Sequence, residues 1–230
     1  MTNLTPKGSM VLFLLLGALG PAAGAAAGQE YTVETLAAPA PEELAPAVRE
    51  SLSHHAVRVL GPKGPLLEIW LRSAVPLRGG VGGNLLGIAY PQLSGGSLLG
   101  AIRFHGEVTG YRKQRVQPGV YTLRYALHPV DGNHMGVAPQ RDFLLLAPAA
   151  DDRTTETLTF DKLMNLSHKV TGTPHPSVWS LVEPEDDPDS LPALIHWEDE
   201  GLWILYLKAQ AGEGVEFPLA LVIVGYAPEA

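Results

Sequence analysis

Short apolar runs separated by turn residues are the feature that most limits the folds open to this chain. From residue 54 onward, many of these runs alternate apolar with polar side chains, which is typical of half-buried strands. The whole chain holds 25 glycines and 20 prolines, so turns are frequent. We therefore expect an all-β fold, an antiparallel β-sandwich of jelly-roll or immunoglobulin-like topology, rather than a doubly wound α/β fold. The predicted strands are 56–60, 66–72, 84–90, 99–105, 119–128, 142–147, 177–183, 191–197, 202–209 and 216–226.

The alternation also predicts which side chains are buried. Within 119–128, one side of the strand carries Tyr121, Leu123 and Tyr125, which we expect in the core. The opposite side, together with the outward sides of two neighbouring runs, is expected to form a polar face on which an exposed tryptophan could hold a sugar or a peptide. A solvated sheet face with cross-strand ion pairs is the alternative. The outward-facing residues are Glu68, Trp70, Arg72, Arg103, His105, Arg124 and His128.

One short covering helix is predicted in the C-terminal half. Apolar residues recur there at helical spacing, from Phe160 through Leu163 and Met164 to Val170. Thr159 can cap the start of this helix and Gly172 can end it. We expect the helix to pack over a sheet edge or over one end of the β domain.

The first 27 residues are interpreted as an export signal. Lys7 gives a positive start, residues 10–19 (MVLFLLLGAL) are an unbroken apolar stretch, and small residues follow. That stretch is about half the ~20 residues of a membrane span, so we expect cleavage, no transmembrane anchor and a periplasmic or extracellular location. Residues 28–53 are predicted to form a linker with a possible short helix, and residues 54–230 to form a single β-sandwich domain.

Composition excludes several classes of function. The chain has no cysteine, so disulfides, thiolate nucleophiles and Cys-type zinc sites are impossible. Its formal net charge is −8, and no basic run offsets it, which argues against nucleic acid and anionic lipid as partners. GxSxG, P-loop and dinucleotide motifs are absent, so no catalytic residue and no cofactor is predicted. A Ser/His/Asp triad assembled in space stays open, and with it the question of enzymatic activity.

Residues 45–148 resemble a group of exported bacterial β-sandwich proteins without an assigned activity. The resemblance rests on residues 57–60 followed by 67–72 (LEIWLR), on residues 118–125 (PGVYTLRY), and on the loop 131–136 (DGNHMG) followed by 142–145 (DFLL). It covers less than half of the chain. It implies export and a β-sandwich, and it implies no activity, because the group has none assigned.

The loop 128–142 (HPVDGNHMGVAPQRD) is the strongest candidate binding site. It is a long connection between two predicted strands, and long loops in compact domains are often functional. Turn chemistry at Asp131 and a local ion pair between Arg141 and Asp142 would instead make it a structural loop. Together with the adjoining sheet face, the ligand-binding candidates are Trp70, Arg103, Arg124, His128, Asp131, His134, Arg141 and Asp142.

These observations predict an exported, non-catalytic binding or structural-interaction domain. Its partner would be a small molecule, a glycan or an envelope protein, recognised through the loop 128–142 and the adjoining face. The alternative is a periplasmic metal carrier or metal-dependent enzyme, in which His105, His128 and His134 hold zinc or copper. The spacing of these histidines matches no standard metal signature, so the alternative requires that their strands are neighbours.

Overall fold

The computed structural model describes residues 31–78, 87–129, 140–184, 188 and 190–227. Twelve strands and two α-helices form the described part of the chain. In chain order they are β1 (Thr32–Ala37), α1 (Pro46–Glu50), β2 (His55–Gly61), β3 (Gly64–Leu71), β4 (Leu98–Phe104), β5 (Val108–Thr109), β6 (Arg115–Val116), β7 (Gly119–Leu127), β8 (Asp142–Pro148), α2 (Phe160–Thr171), β9 (Val178–Val182), β10 (Ala193–Trp197), β11 (Leu202–Gln210) and β12 (Glu216–Val224). The predicted all-β class is confirmed, and α2 is the predicted helix.

Ten strands form one sheet in the order β1-β2-β3-β4-β7-β8-β9-β12-β11-β10, and every neighbouring pair is antiparallel. The two outermost strands, β1 and β10, come into contact, although no ladder joins them in the described backbone. The sheet is therefore nearly closed into a barrel. Strands β5 and β6 pair separately as a small hairpin.

The core lies inside the curved sheet. Tyr121, Leu123 and Tyr125 are buried there, as their alternation predicts. Trp179 of β9 stacks on Phe104 of β4, with ring centroids 5.1 Å apart. Because these strands are not neighbours in the sheet, the contact shows that side chains from opposite parts of the sheet meet in one core.

The outer face of β3, β4 and β7 is also covered. Residues 38–52 pack on it, and Leu44 and Val48 form an apolar cluster there with Trp70. Trp70 is 1% exposed, and its indole N–H donates to the carbonyl of Ala38 at 3.0 Å. The predicted exposure of Trp70 is wrong, because strand periodicity identifies the two faces of a strand but not whether another segment packs on them.

Other members of the predicted polar face are also less exposed than predicted. Glu68, Arg124 and His128 are buried, whereas Arg72 and Arg103 are half-buried and His105 is exposed. The segment predicted as a linker supplies both the cover and a strand, since β1 pairs with β2 along its whole length. The linker prediction is therefore wrong for residues 32–37, while α1 is the short helix expected in this segment.

Helix α2 packs on the outer face of β8. It buries Leu163 against Phe143 and Leu145, and Ser167 accepts a hydrogen bond from the N–H of Ser177 at 2.9 Å. Gly172 ends the helix in the left-handed conformation at φ 63°, as predicted. Thr159 precedes the helix but makes no side-chain capping bond. Among the described helices, none has the length and hydropathy of a membrane span.

Tyr90 strengthens the junction between β9 and β12. Its hydroxyl donates to the carbonyl of Val182 in β9 at 2.9 Å and accepts from the N–H of Ala220 in β12 at 2.8 Å. These two strands pair through only two registered positions, so the hydroxyl extends a short junction. Residues 87–90, the described part of the strand predicted at 84–90, are not in a strand.

Candidate functional site

A groove beside helix α2 is the described surface that best fits a binding site. It has a volume of about 410 Å³ and lies between α2, the ends of β7 and β9, and the turn of the β5–β6 hairpin. We call it the α2 groove. Its lining residues are Arg112, Gln114, His128, Pro129, Phe143, Phe160, Met164, His175, Pro176 and Val178.

Helical spacing places the apolar wall of this groove. Phe160 and Met164 are four residues apart in α2 and therefore lie on the same side of the helix. Leu163, on the neighbouring side, is buried against β8 and fixes the rotation of the helix. Phe160 is consequently 50% exposed. A phenyl group at the edge of a concave surface leaves apolar area in water that a ligand could cover.

The polar wall comes from the strand ends and the hairpin. The imidazole of His128 packs against the ring of Phe143, with centroids 4.3 Å apart. The side-chain carbonyl of Gln114 accepts from the N–H of Val178 at 3.2 Å, which ties the hairpin turn to β9. His175 and Arg112 are exposed at the edge of the groove. The α2 groove thus combines an apolar wall with a wall that carries hydrogen-bonding groups.

The base of the predicted binding loop is fixed next to this groove. Arg141 donates to the carbonyl of His128 from Nε at 3.1 Å and from Nη2 at 3.0 Å, and the N–H of His128 donates to the carbonyl of Arg141 at 2.8 Å. The two ends of the loop are therefore joined to each other. Residues 130–139, which include the candidates Asp131 and His134, lie outside the described residues.

Asp142 is a buried acceptor in this fold. Its carboxylate accepts from the hydroxyl of Tyr125 at 2.6 Å and from the backbone N–H groups of Ala89 and Tyr90 at 2.8 and 3.0 Å. Burial raises the pKa of Tyr125, and the hydrogen bond to Asp142 raises it further. Burial likewise raises the pKa of Tyr90. Since Asp142 and Arg141 bond to different groups, the local ion pair considered for them is not among the interactions that the structure shows.

Arg124 is also buried rather than available to a ligand. It is 0% exposed, and it donates to both carboxylate oxygens of Asp152 at 2.7 and 2.8 Å. Further bonds reach the carbonyls of Gly96, Thr154 and Glu156. Arg124 therefore anchors the connection between β8 and α2.

Arg103 belongs to a row of charges that crosses four strands. Glu34, Arg58, Glu68 and Arg103 are paired in register on β1, β2, β3 and β4. Arg58 contacts Glu68 at 2.6 Å and Glu34 at 3.3 Å. On the far side, Glu68 lies 3.9 Å from Arg103 and 3.5 Å from His105. We call this row the charge ladder. It matches the alternative considered for this face, cross-strand ion pairs.

The structure does not bring together the histidines of the metal hypothesis. His105 follows the end of β4, which pairs with the first residue of β7, whereas His128 follows the last residue of β7. At ~3.3 Å per residue, the nine-residue strand separates the two histidines by roughly 30 Å. The prediction of one metal site that uses both His105 and His128 is therefore wrong. Across 31–227, leaving out the undescribed gaps, no three His, Asp or Glu side chains are grouped to hold a metal ion.

Of the predicted ligand-binding residues, His128 lines the α2 groove. Sequence reasoning missed Phe160, Met164, Arg112 and His175 as groove residues. Phe160 and Met164 share the apolar spacing of the buried Leu163, and spacing alone does not show how wide a strip of the helix the sheet covers. Comparison of the chain with protein-family models, curated proteins and solved structures finds no match.

Proposed function

We propose that this chain is an exported, non-catalytic binding domain whose ligand inserts an apolar ring into the α2 groove. One observation carries the proposal: a concave surface of about 410 Å³ that contains a half-exposed phenylalanine. Ligand sites in proteins are typically concave, mostly apolar and equipped with a few polar groups, and volumes of about 300 to 1,000 Å³ are common. The α2 groove meets each of these criteria.

The lining of the groove favours an aromatic ligand. Phe160 offers an exposed ring, and Met164 supplies a polarisable sulfur that packs well against aromatic rings. Pro129 and Pro176 are rigid and lose little conformational entropy when they are covered. Donors at the edge, Arg112 among them, would orient a polar substituent on the ring.

The walls of the groove are held in place before any ligand binds. The apolar contacts of Leu163 fix α2 on β8. Hydrogen bonds from the N–H of Val178 to Gln114 and from Arg141 to His128 fix the hairpin turn and the base of the loop. A preformed site binds more tightly than one that must be ordered, because less conformational entropy is lost on binding.

Export and sandwich-like packing are parts of the same proposal. The apolar stretch at 10–19 supports an exported domain. We propose further that the nearly closed sheet is flattened, so that its two halves face each other as in a β-sandwich. The stacking of Trp179 on Phe104 supports this description.

The experiment uses the neutral fluorophore N-phenyl-1-naphthylamine, which has two apolar ring systems. We expect its fluorescence to rise saturably when it is titrated with the purified protein. Phe160→Ala combined with Met164→Ala should weaken binding about tenfold, since two apolar contacts of roughly 0.7 kcal/mol each are lost. Tyr226→Ala is the matched control, because Tyr226 is 53% exposed and does not line the groove. Equal binding by the double variant and the control would contradict the proposal.

A further inference from the structure

A second cleft lies on the other side of helix α2. It has a volume of about 430 Å³ and is bounded by α2 and by the connection that precedes it. We call it the basic cleft. The residues that matter for its chemistry are Arg153, Leu158, Lys162, Asn165, Leu166 and Lys169. We propose that the basic cleft binds an organic anion, a molecule with one acidic group on an apolar body.

The cations of the cleft carry the first step. Three of the chain's 16 lysines and arginines line this one surface of a protein with a net charge of −8. Lys169 is paired with Asp151 at 3.1 Å. In the part of the chain that the structure describes, Arg153 and Lys162 have no ion-pair partner. Two positive charges are therefore free to meet an acidic group.

Asp151 and Asp152 also line the cleft, but Asp152 does not compete for these cations. Asp152 is 1% exposed, and Arg124 binds both of its carboxylate oxygens. Its charge is thus already balanced by a buried guanidinium. Asn165 adds a neutral amide that can donate to the same acidic group.

The apolar part of the lining determines the class of anion. Leu158 and Leu166 lie beside the cations, and most of the lining surface is apolar. An inorganic anion would leave these leucines uncovered, whereas a neutral apolar molecule would leave the cations without a partner. An aryl or alkyl chain ending in a sulfonate or carboxylate satisfies both, with Arg153 able to hold the acidic group through two hydrogen bonds.

One wall of the cleft is rigid. Arg124 donates to the carbonyls of Thr154 and Glu156 in addition to Asp152, so the backbone that carries Arg153 is tied to β7 from both sides. The opposite wall is α2, whose position is fixed by the burial of Leu163. Little ordering of the backbone is therefore required when an anion binds.

The test compares two probes that differ by one acidic group. 1-Anilinonaphthalene-8-sulfonate carries a sulfonate, and N-phenyl-1-naphthylamine is the same ring system without it. The purified protein is titrated with each probe and the fluorescence recorded, with calorimetry for stoichiometry. We expect the double variant Arg153→Gln/Lys162→Gln to raise the Kd of the sulfonate about tenfold and to leave the Kd of the neutral probe unchanged.

The control removes the same charge elsewhere. Lys63→Gln/Arg78→Gln changes two exposed cations outside the cleft, and it should alter the Kd of the sulfonate less than twofold. Thermal unfolding of each variant verifies that it is folded. The proposal is overturned if the parent shows no saturable sulfonate binding, or if both double variants have the same Kd.

The two sites on α2 are distinguished by the same set of titrations. Substitution of Phe160 and Met164 should weaken the neutral probe without the charge dependence seen for the sulfonate. Failure of the neutral probe to bind would remove the proposed function of the α2 groove, whereas the basic cleft would still be decided by the sulfonate titrations. Loss of the charge dependence would remove the basic cleft alone.

Discussion

Replacement of Tyr90 by phenylalanine removes one oxygen atom from the junction between β9 and β12. The hydroxyl of Tyr90 bridges the carbonyl of Val182 and the N–H of Ala220, and the side chain is 2% exposed. Phenylalanine keeps the ring and its packing in the core. The substitution therefore isolates the two hydrogen bonds.

The expected loss of stability follows from what is left behind. A buried backbone group without a partner costs about 1–3 kcal/mol, and the variant leaves a carbonyl and an N–H unpaired. Partial closure of the gap between the strands offsets some of this cost. We expect Tyr90→Phe to lower the free energy of unfolding by about 2–4 kcal/mol, a large part of the 5–15 kcal/mol typical of a domain.

Urea unfolding followed by tryptophan fluorescence measures this loss. The control is Tyr121→Phe, in which the hydroxyl donates a single bond to the carbonyl of Gln117 at 2.9 Å, and we expect it to cost about 0.5–1.5 kcal/mol. The dependence of the unfolding free energy on urea should stay the same in both variants. If Tyr90→Phe costs no more than Tyr121→Phe, the hydroxyl does not join the two strands.

Two further predictions concern charge and pH. Asp152→Asn leaves the buried charge of Arg124 without its counter-ion and should cost about 3–5 kcal/mol in urea unfolding, whereas Asp151→Asn, at an exposed pair, should cost under about 1 kcal/mol; equal costs would contradict the anchoring role of Arg124. Burial raises the pKa of Tyr125 above its ordinary value of 10.0, so the folded state favours the neutral phenol. The contribution of Tyr125 to folding stability is therefore fully present below pH 10, and it is lost as the pH rises from 10 through the folded-state pKa. Stability should fall by about 1.4 kcal/mol per pH unit for each such tyrosine, and Tyr125→Phe should reduce that slope; stability that is flat from pH 9 to 11 would refute the assignment.

Much of the strand pattern could be predicted from the sequence, because alternation is a local property. The run 119–128 corresponds to β7, and its inward side chains, Tyr121 and Tyr125, are buried. The continuous apolar run at 216–226 corresponds to β12, which is buried on both faces where the run is most apolar. Helix α2 was predicted within one residue, because Gly172 supplies a clear end signal.

What failed depends on distant parts of the chain. Residues 32–37 lack a strong alternating pattern, and they form β1 because β2 offers them a free edge. Trp70 is buried because residues 38–52 pack over it, an event that its own strand does not encode. Strand pairing likewise separates the two histidines, because His105 lies beside the start of β7 and His128 follows its end. The α2 groove depends on how α2 is rotated on β8, and its lining includes one of the predicted ligand-binding residues, His128.

The charge ladder has a consequence for how the sheet aligns itself during folding. Sliding β3 along β2 by two residues would preserve the faces of both strands, but the tight turn at 62–63, which pairs Gly61 with Gly64, already opposes it. It would also move Glu68, which is 5% exposed, away from Arg58 and leave its carboxylate with only the longer contacts to Arg103 and His105. Surface ion pairs add little to net stability, but a buried charge that loses its nearest partner is costly. The alternating signs therefore favour the same alignment of β2 and β3 as the turn does, and they penalise a slip by two residues.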